Sequence, residues 1–318
     1  MVDLETTGRN YDIYVELMSD DAVIQQKISD ITDDGQRFEG TEYLIDHGCS
    51  DGSLLEAMEH IYPDMGLVGI DLRDELLTRA QDRKQDHDLS AEFIKTDIEV
   101  ANETLAQPEA IISSSLCHEI FSYGSEDKLT SYLQQSFDHL DDGGTMVIRD
   151  VIGPQEEMTW LWLNEDNGYA ETGARFFRDD QQEAYLSSLS TRATFNRFCK
   201  DFAYIDQSPE QLIEDQREID GRTYHRVPAD HATDFMLTKD YTDNWDNEMQ
   251  ERFAFWDRDD YIETLETIGF EIDDCETYTN EWIEQNRFED SAHMRSTVTE
   301  DPAYPATNIV IAAHKPYQ

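Results

Sequence analysis

The segment "LIDHGCSDG", Leu44 to Gly52, sets an acid behind apolar residues and then two glycines, with Cys49, Ser50 and Asp51 between them. Glycines at the end of a strand let the backbone approach a ligand closely. A dinucleotide site would want G-x-G-x-x-G, with the pyrophosphate received by the next helix N-terminus. Here the spacing is G-x-x-x-G, and Asp46 and Asp51 beside it would repel a diphosphate. A cationic ligand suits the same turn. "GLVGIDLR" places Asp71 at the tip of a second apolar run, where a carboxylate can accept hydrogen bonds from both hydroxyls of a ribose. "SLCHEIFSYG" gathers His118, Glu119 and Tyr123, the last two on one face if a short helix runs there. His118 is the natural proton acceptor near neutral pH; its plainer use is to pack or cap a turn. Arg149 and Asp150 close another apolar run, and Arg149 either holds an anionic group of a substrate or pairs with Asp150, the pairing being favoured. No ligand spacing among His118, Glu119 and Asp150 specifies a metal.

These residues need a frame. Short apolar runs recur at "EYLIDHG", "GLVGIDL", "AEFIKTDI", "EAIISSSL" and "GGTMVIRDV", and stretches of helical spacing separate them. One of these, "SEDKLTSYLQQSFDHLDDGG", is entered by a Ser125 cap and closed by Gly143 and Gly144. Strands alternating with helices predict a parallel sheet covered on both faces, because parallel neighbours need crossovers. Residues 1–37 read as an N-terminal helical segment, with helical spacing from Tyr11 to about Ile31. From 153 to 256 the apolar spacing is helical with no clear strand, which predicts a mostly helical insertion. The alternation resumes with a helix, "RDDYIETLETIG", and two strands, "FEIDDCETYT" and "ATNIVIAAHKP", whose loop connection makes the last strand antiparallel.

A sulfonium and an amino group without phosphate are what the first turn favours, and S-adenosylmethionine is such a ligand. At these residues the sequence resembles the class I S-adenosylmethionine-dependent methyltransferases, whose first motif is an acid followed by a G-x-G-x-G-like turn; Ser50 stands where the middle glycine is most common. The resemblance spans about 38–152 and 257–315 and implies an α/β, Rossmann-like seven-stranded sheet. It implies that Asp46, Gly48, Cys49, Gly52, Asp71, Leu72 and Ser115 hold the cofactor, with Asp97 at the adenine amino group and Ile98 on the ring face. It further implies methyl transfer to a small-molecule acceptor, with the core at 38–152 and 257–318 and the insertion at 153–256 as a substrate lid.

Acceptor residues are sought in the insertion and after it. "STRATFNRFCK" holds Arg192, Arg197 and Lys200 and no acid, with Arg175 and Arg178 just upstream, which suggests an anionic acceptor or else an internal ion-pair network. Asn244, Trp245 and Arg287 are candidate anchors of an apolar pocket, with Trp282 and Phe288 beside them; core packing at helical spacing is the competing use.

Charge bounds the partners. Asp and Glu number 71 against 24 Lys and Arg, a formal charge of -47, and the cations divide into seven Lys and 17 Arg. Concentrated salt shortens the Debye length to roughly 3 Å at 1 M and relieves such self-repulsion. The composition resembles that of proteins from salt-in halophilic archaea, and it disfavours nucleic acid as a partner. Cys49, Cys117, Cys199 and Cys275 show no CxxC pairing and read as free thiols of a reducing compartment. The N-terminus has neither a basic region nor an apolar run, and no long apolar segment occurs, so a soluble, cytoplasmic protein without a membrane partner is expected. Two other readings stay open: a nicotinamide-dependent oxidoreductase, which would share Asp71, and a non-catalytic cofactor-binding protein.

Overall fold

Every apolar run named above becomes a strand. The computed structural model describes residues 21–173 and 179–317, in which β1 is Tyr43–His47, β2 Gly66–Asp71, β3 Glu92–Lys95, β4 Ala110–Ser114 and β5 Thr145–Asp150. They are followed by β6 (Met158–Leu163), β7 (Asp215–Ile219), β8 (Arg222–Pro228), β9 (Glu271–Tyr278), β10 (Ala292–Arg295) and β11 (Asn308–His314). The larger sheet has the order β3-β2-β1-β4-β5-β11-β9. β1 pairs in parallel with both β2 and β4, and β11 runs antiparallel to β5, so the predicted α/β sheet is present with its reversed last strand.

Alternation along β1 sends Leu44 into one apolar layer, with Leu55, Met58 and Ile112, and Ile45 into the other, with Val68 and Ile70. Burial on both faces explains why these strands read as unbroken apolar runs. Helices form the crossovers where capping allows it. Ser125 accepts from the Lys128 N–H at the start of Glu126–His139, and Asp97 accepts from Glu99 N–H at the start of Ile98–Thr104. After β1 the chain proceeds outward through β2 and β3, then returns to place β4 on the other side of β1. That reversal opens a crevice at the carboxyl ends of β1 and β4, where ligands of open α/β sheets bind.

Contacts divide the chain into two units. One holds the chain up to Asp150 together with Asp259–Glu276 and the segment from Ile309. The other holds Val151–Arg258 and also Thr277–Asn308, which the sequence reading had left in the core. The second unit contains helices such as Thr191–Asp201 and Ala229–Thr238, and in addition an antiparallel sheet of order β10-β6-β8-β7 that was not anticipated. β6 escaped because "MTWLWL" is apolar on both faces, which hides the period of two. The β7–β8 hairpin did leave a signal: its two-residue loop is Asp220-Gly221, with φ of 55° and 75°. Helix in the expected "PEQLIEDQREI" stretch is confined to Pro209–Leu212. Residues 11–20 of the expected lead helix, and Arg175 and Arg178, lie outside the described residues; the helix Asp21–Thr32 is its described part.

Candidate active site

A cavity of about 360 Å³ opens at the carboxyl ends of β1, β2 and β4, inside the size range of roughly 300–1,000 Å³ typical of small-ligand sites. Of the nine residues predicted to hold a cofactor, eight line it; Gly52 does not. Its task is the turn. Gly52 has φ +77° and caps the helix Ser53–Ile61, and a Cβ there would fall 2.6 Å from the Phe93 ring.

The turn is pinned from two sides. The N–H groups of Gly48 and Cys49 both donate to the Ile70 carbonyl, at 2.9 and 3.0 Å, and the Ser50 N–H donates to Asp71 Oδ2 at 3.0 Å. Asp71 Oδ1 accepts from the Arg73 N–H at 2.9 Å, so each carboxylate oxygen is fixed by one backbone donor and keeps a lone pair for a ligand. Ser50 has φ 52°, a left-handed conformation that costs a non-glycine residue roughly 1–2 kcal/mol. This is why glycine is common at that place in the motif. Ser50→Gly is therefore expected to be at least as stable as wild type, by up to about 1 kcal/mol after the added freedom of the unfolded chain is deducted. Denaturant titration checks this, and a loss of stability would show that the hydroxyl holds the turn.

The site's charges are concentrated on Asp46 and Asp71. Asp46 is 2% exposed, and burial pushes its pKa up to about 7, with Asp71 adding to the shift and Lys27 opposing it. Burial also raises Asp71, against the backbone donors of Arg73 and Ser50. Asp51 counts for less than the sequence suggested, because Arg83 Nη2 holds it at 2.6 Å while Arg83 Nη1 holds Glu56 at 2.7 Å. At the adenine end expected from the motif, Asp97 Oδ1 accepts from Glu99 N–H at 2.9 Å and Ile98 lines the cavity. Two acids next to a nucleoside-sized space fit a cationic nucleoside and disfavour a diphosphate.

Residues 44–144 match the sequence profile of a family described as a methyltransferase domain. That span is a methyltransferase domain, and S-adenosylmethionine is the donor that the sequence resemblance implies. None of the curated proteins matches the sequence. Among solved structures the methyltransferase is similar to the plantazolicin methyltransferase BpumL in complex with S-adenosylhomocysteine and a pentazolic desmethyl analogue, at 13% identity over 96% of this chain and 90% of that one, TM-score 0.48. It is also similar to an S-adenosylmethionine-dependent methyltransferase from Clostridium acetobutylicum, at 13% identity over 96% and 97% of the two chains, TM-score 0.47. Likeness at this level concerns the fold alone.

The donor would be held by Asp71 at the ribose and Asp97 at the adenine, with the sulfonium and ammonium toward Asp46, and would supply a methyl group on positively charged sulfur. Binding a cation favours the ionised form of Asp46, so a proton must leave that carboxyl below neutrality. Affinity for the donor is thus expected to rise about tenfold per unit between pH 5.5 and 7 and to level off above. Calorimetry across that range tests it; a flat profile would mean that Asp46 stays neutral or does not meet the donor.

Past β4 the methyltransferase differs from the sequence reading. Glu119 and Tyr123 line the cavity from the helix Cys117–Tyr123, and Glu119 Oε2 pairs with Arg73 Nη2 at 2.5 Å. His118 does not line it. Its Nδ1 lies 2.7 Å from Asp150 Oδ1, while Asp150 Oδ2 accepts from the N–H groups of Leu116 and Cys117 at 3.0 and 2.7 Å. Asp150 therefore holds the turn after β4. Neighbours on a strand point to opposite faces, and Arg149 Nε meets Asp30 Oδ2 at 2.7 Å, both side chains 8% exposed. Arg149 is not among the residues that line the cavity.

The other three proposed anchors are occupied inside the second unit. Trp245 is 1% exposed and donates Nε1 to Asp201, Asn244 donates to Glu248, and Arg287 bonds Asp240 and the Leu237 carbonyl. Phe288 is fully buried there, and Trp282 is half exposed. Two cations of the basic run are ion-paired, Arg197 with Asp201 and Lys200 with Glu171, while Arg192 stands over the Phe195 ring. The role of Asp150 beside His118 was missed, although strand alternation could have separated it from Arg149, and so was Lys27, which lines the cavity from the helix Asp21–Thr32.

Proposed function

We propose that the methyltransferase acts on a small-molecule acceptor whose attacking O–H or N–H is deprotonated by His118. The hydrogen bond between His118 Nδ1 and Asp150 carries this reading, because it orients the ring of a side chain that can accept a proton near neutral pH. Asp150 acts through His118 and is a positioning residue. Alignment supplies the rest, since displacement at a methyl carbon requires the nucleophile opposite the sulfur and little further activation. A small acceptor is favoured over nucleic acid by the formal charge of -47, which repels phosphates, and the same composition suits catalysis in concentrated salt. Two of the cations that suggested an anionic acceptor, Arg197 and Lys200, are paired within their own unit.

The test is to incubate the enzyme with methyl-labelled S-adenosylmethionine and fractionated small-molecule extract in molar KCl. A labelled product of low mass, together with S-adenosylhomocysteine, is expected. Labelled RNA or DNA would overturn the acceptor class, and a bound donor without any product from any extract would point to a non-catalytic cofactor-binding protein.

A further inference from the structure

Lysine is scarce in this chain, and the described lysines are mostly committed to a partner. Lys95 meets Asp74, Lys200 meets Glu171, Lys239 meets Asp240, and Lys84 and Lys315 donate to the carbonyls of Ala91 and Leu140. Lys27 differs. It is half-buried on the helix Asp21–Thr32, lines the donor cavity beside Ile24, and makes no hydrogen bond or ion pair among the described residues. The strongest favourable charge acting on it is Asp46, followed by Asp51 and Asp150, with Arg149 opposing. Burying an ammonium against one carboxylate without a hydrogen bond is costly unless a ligand completes the arrangement.

The donor has a charge that nothing above answers. Its amino-acid end carries a carboxylate beside the ammonium, and the cavity's acids meet only the positive groups. Arg73 also lines the cavity but is held by Glu119 at 2.5 Å, and Lys128 is exposed near the start of its helix. We propose that Lys27 takes the carboxylate of the donor while Asp46 takes its ammonium, so that the two side chains form a clamp specific for a zwitterionic amino-acid end. This rests on the cavity being the donor site. It makes Lys27 a specificity residue: it distinguishes S-adenosylmethionine and S-adenosylhomocysteine from nucleosides lacking the carboxylate.

The experiment is calorimetric titration of S-adenosylhomocysteine and, separately, of methylthioadenosine into wild type, Lys27→Met and Lys27→Arg in molar KCl, with circular dichroism to compare folds. Lys27→Met is expected to weaken S-adenosylhomocysteine by roughly tenfold to a hundredfold, the worth of one charge-assisted hydrogen bond, while methylthioadenosine binding stays unchanged. Lys27→Arg should recover part of the loss. Equal weakening of both ligands, or S-adenosylhomocysteine affinity within threefold of wild type, would overturn the clamp while leaving the donor site standing. Failure of wild type to bind either nucleoside would overturn the donor site and the clamp with it.

Discussion

Asp71→Ala is expected to weaken S-adenosylmethionine binding at least a hundredfold. Two hydrogen bonds from ribose hydroxyls to one carboxylate are each worth about 1.5–3 kcal/mol, and the substitution also strips the Ser50 and Arg73 N–H groups of their acceptor. The second loss acts on the turn itself, since the Ser50 N–H bond ties the glycine loop to the end of β2. Asp71→Asn separates the two effects. Its amide oxygen retains one acceptor, so binding should fall by less than in the alanine variant and the loop should keep more of its order. Calorimetry in molar KCl gives both numbers; an alanine variant within tenfold of wild type would remove Asp71 from the donor site.

The next largest effect is on turnover. His118→Ala should lower kcat by about a hundredfold or more, the usual worth of a positioned base, and leave the donor Kd nearly unchanged because His118 is not part of the cavity lining. A packing residue would behave otherwise: its loss would disturb the turn after β4 and move both quantities together. Asp150→Asn is the useful companion. It should reduce kcat and also loosen Leu116 and Cys117, whose N–H groups share its second oxygen. A His118→Ala enzyme within severalfold of wild type would remove the base from the mechanism.

Legibility followed the range of the interaction. The glycine turn, Asp71 at a strand tip and the Ser125 cap depend on neighbours in sequence, and all could be read from it. Asp150 shows a near miss, because the alternation that turns Arg149 away from it was already implied by placing both on β5. Lys27 could not be read. Its helix brings a side chain to a cavity built from β1 and β2, and a lysine in "VIQQKISDI" has the ordinary look of a solvated face. Acid-rich composition hid other features: with 71 acids available, pairing for Arg197 or Lys200 could be foreseen but its partner could not.

The position of β11 has a consequence for how the protein is made. The strand lies between β5 and β9, yet it follows both in the chain, and residues 277–308 must be synthesised between β9 and β11. The large sheet therefore cannot be completed from its amino-terminal strands outward. Until β11 emerges, β5 presents an open edge to solvent, and β9 lacks the strand that joins it to the sheet.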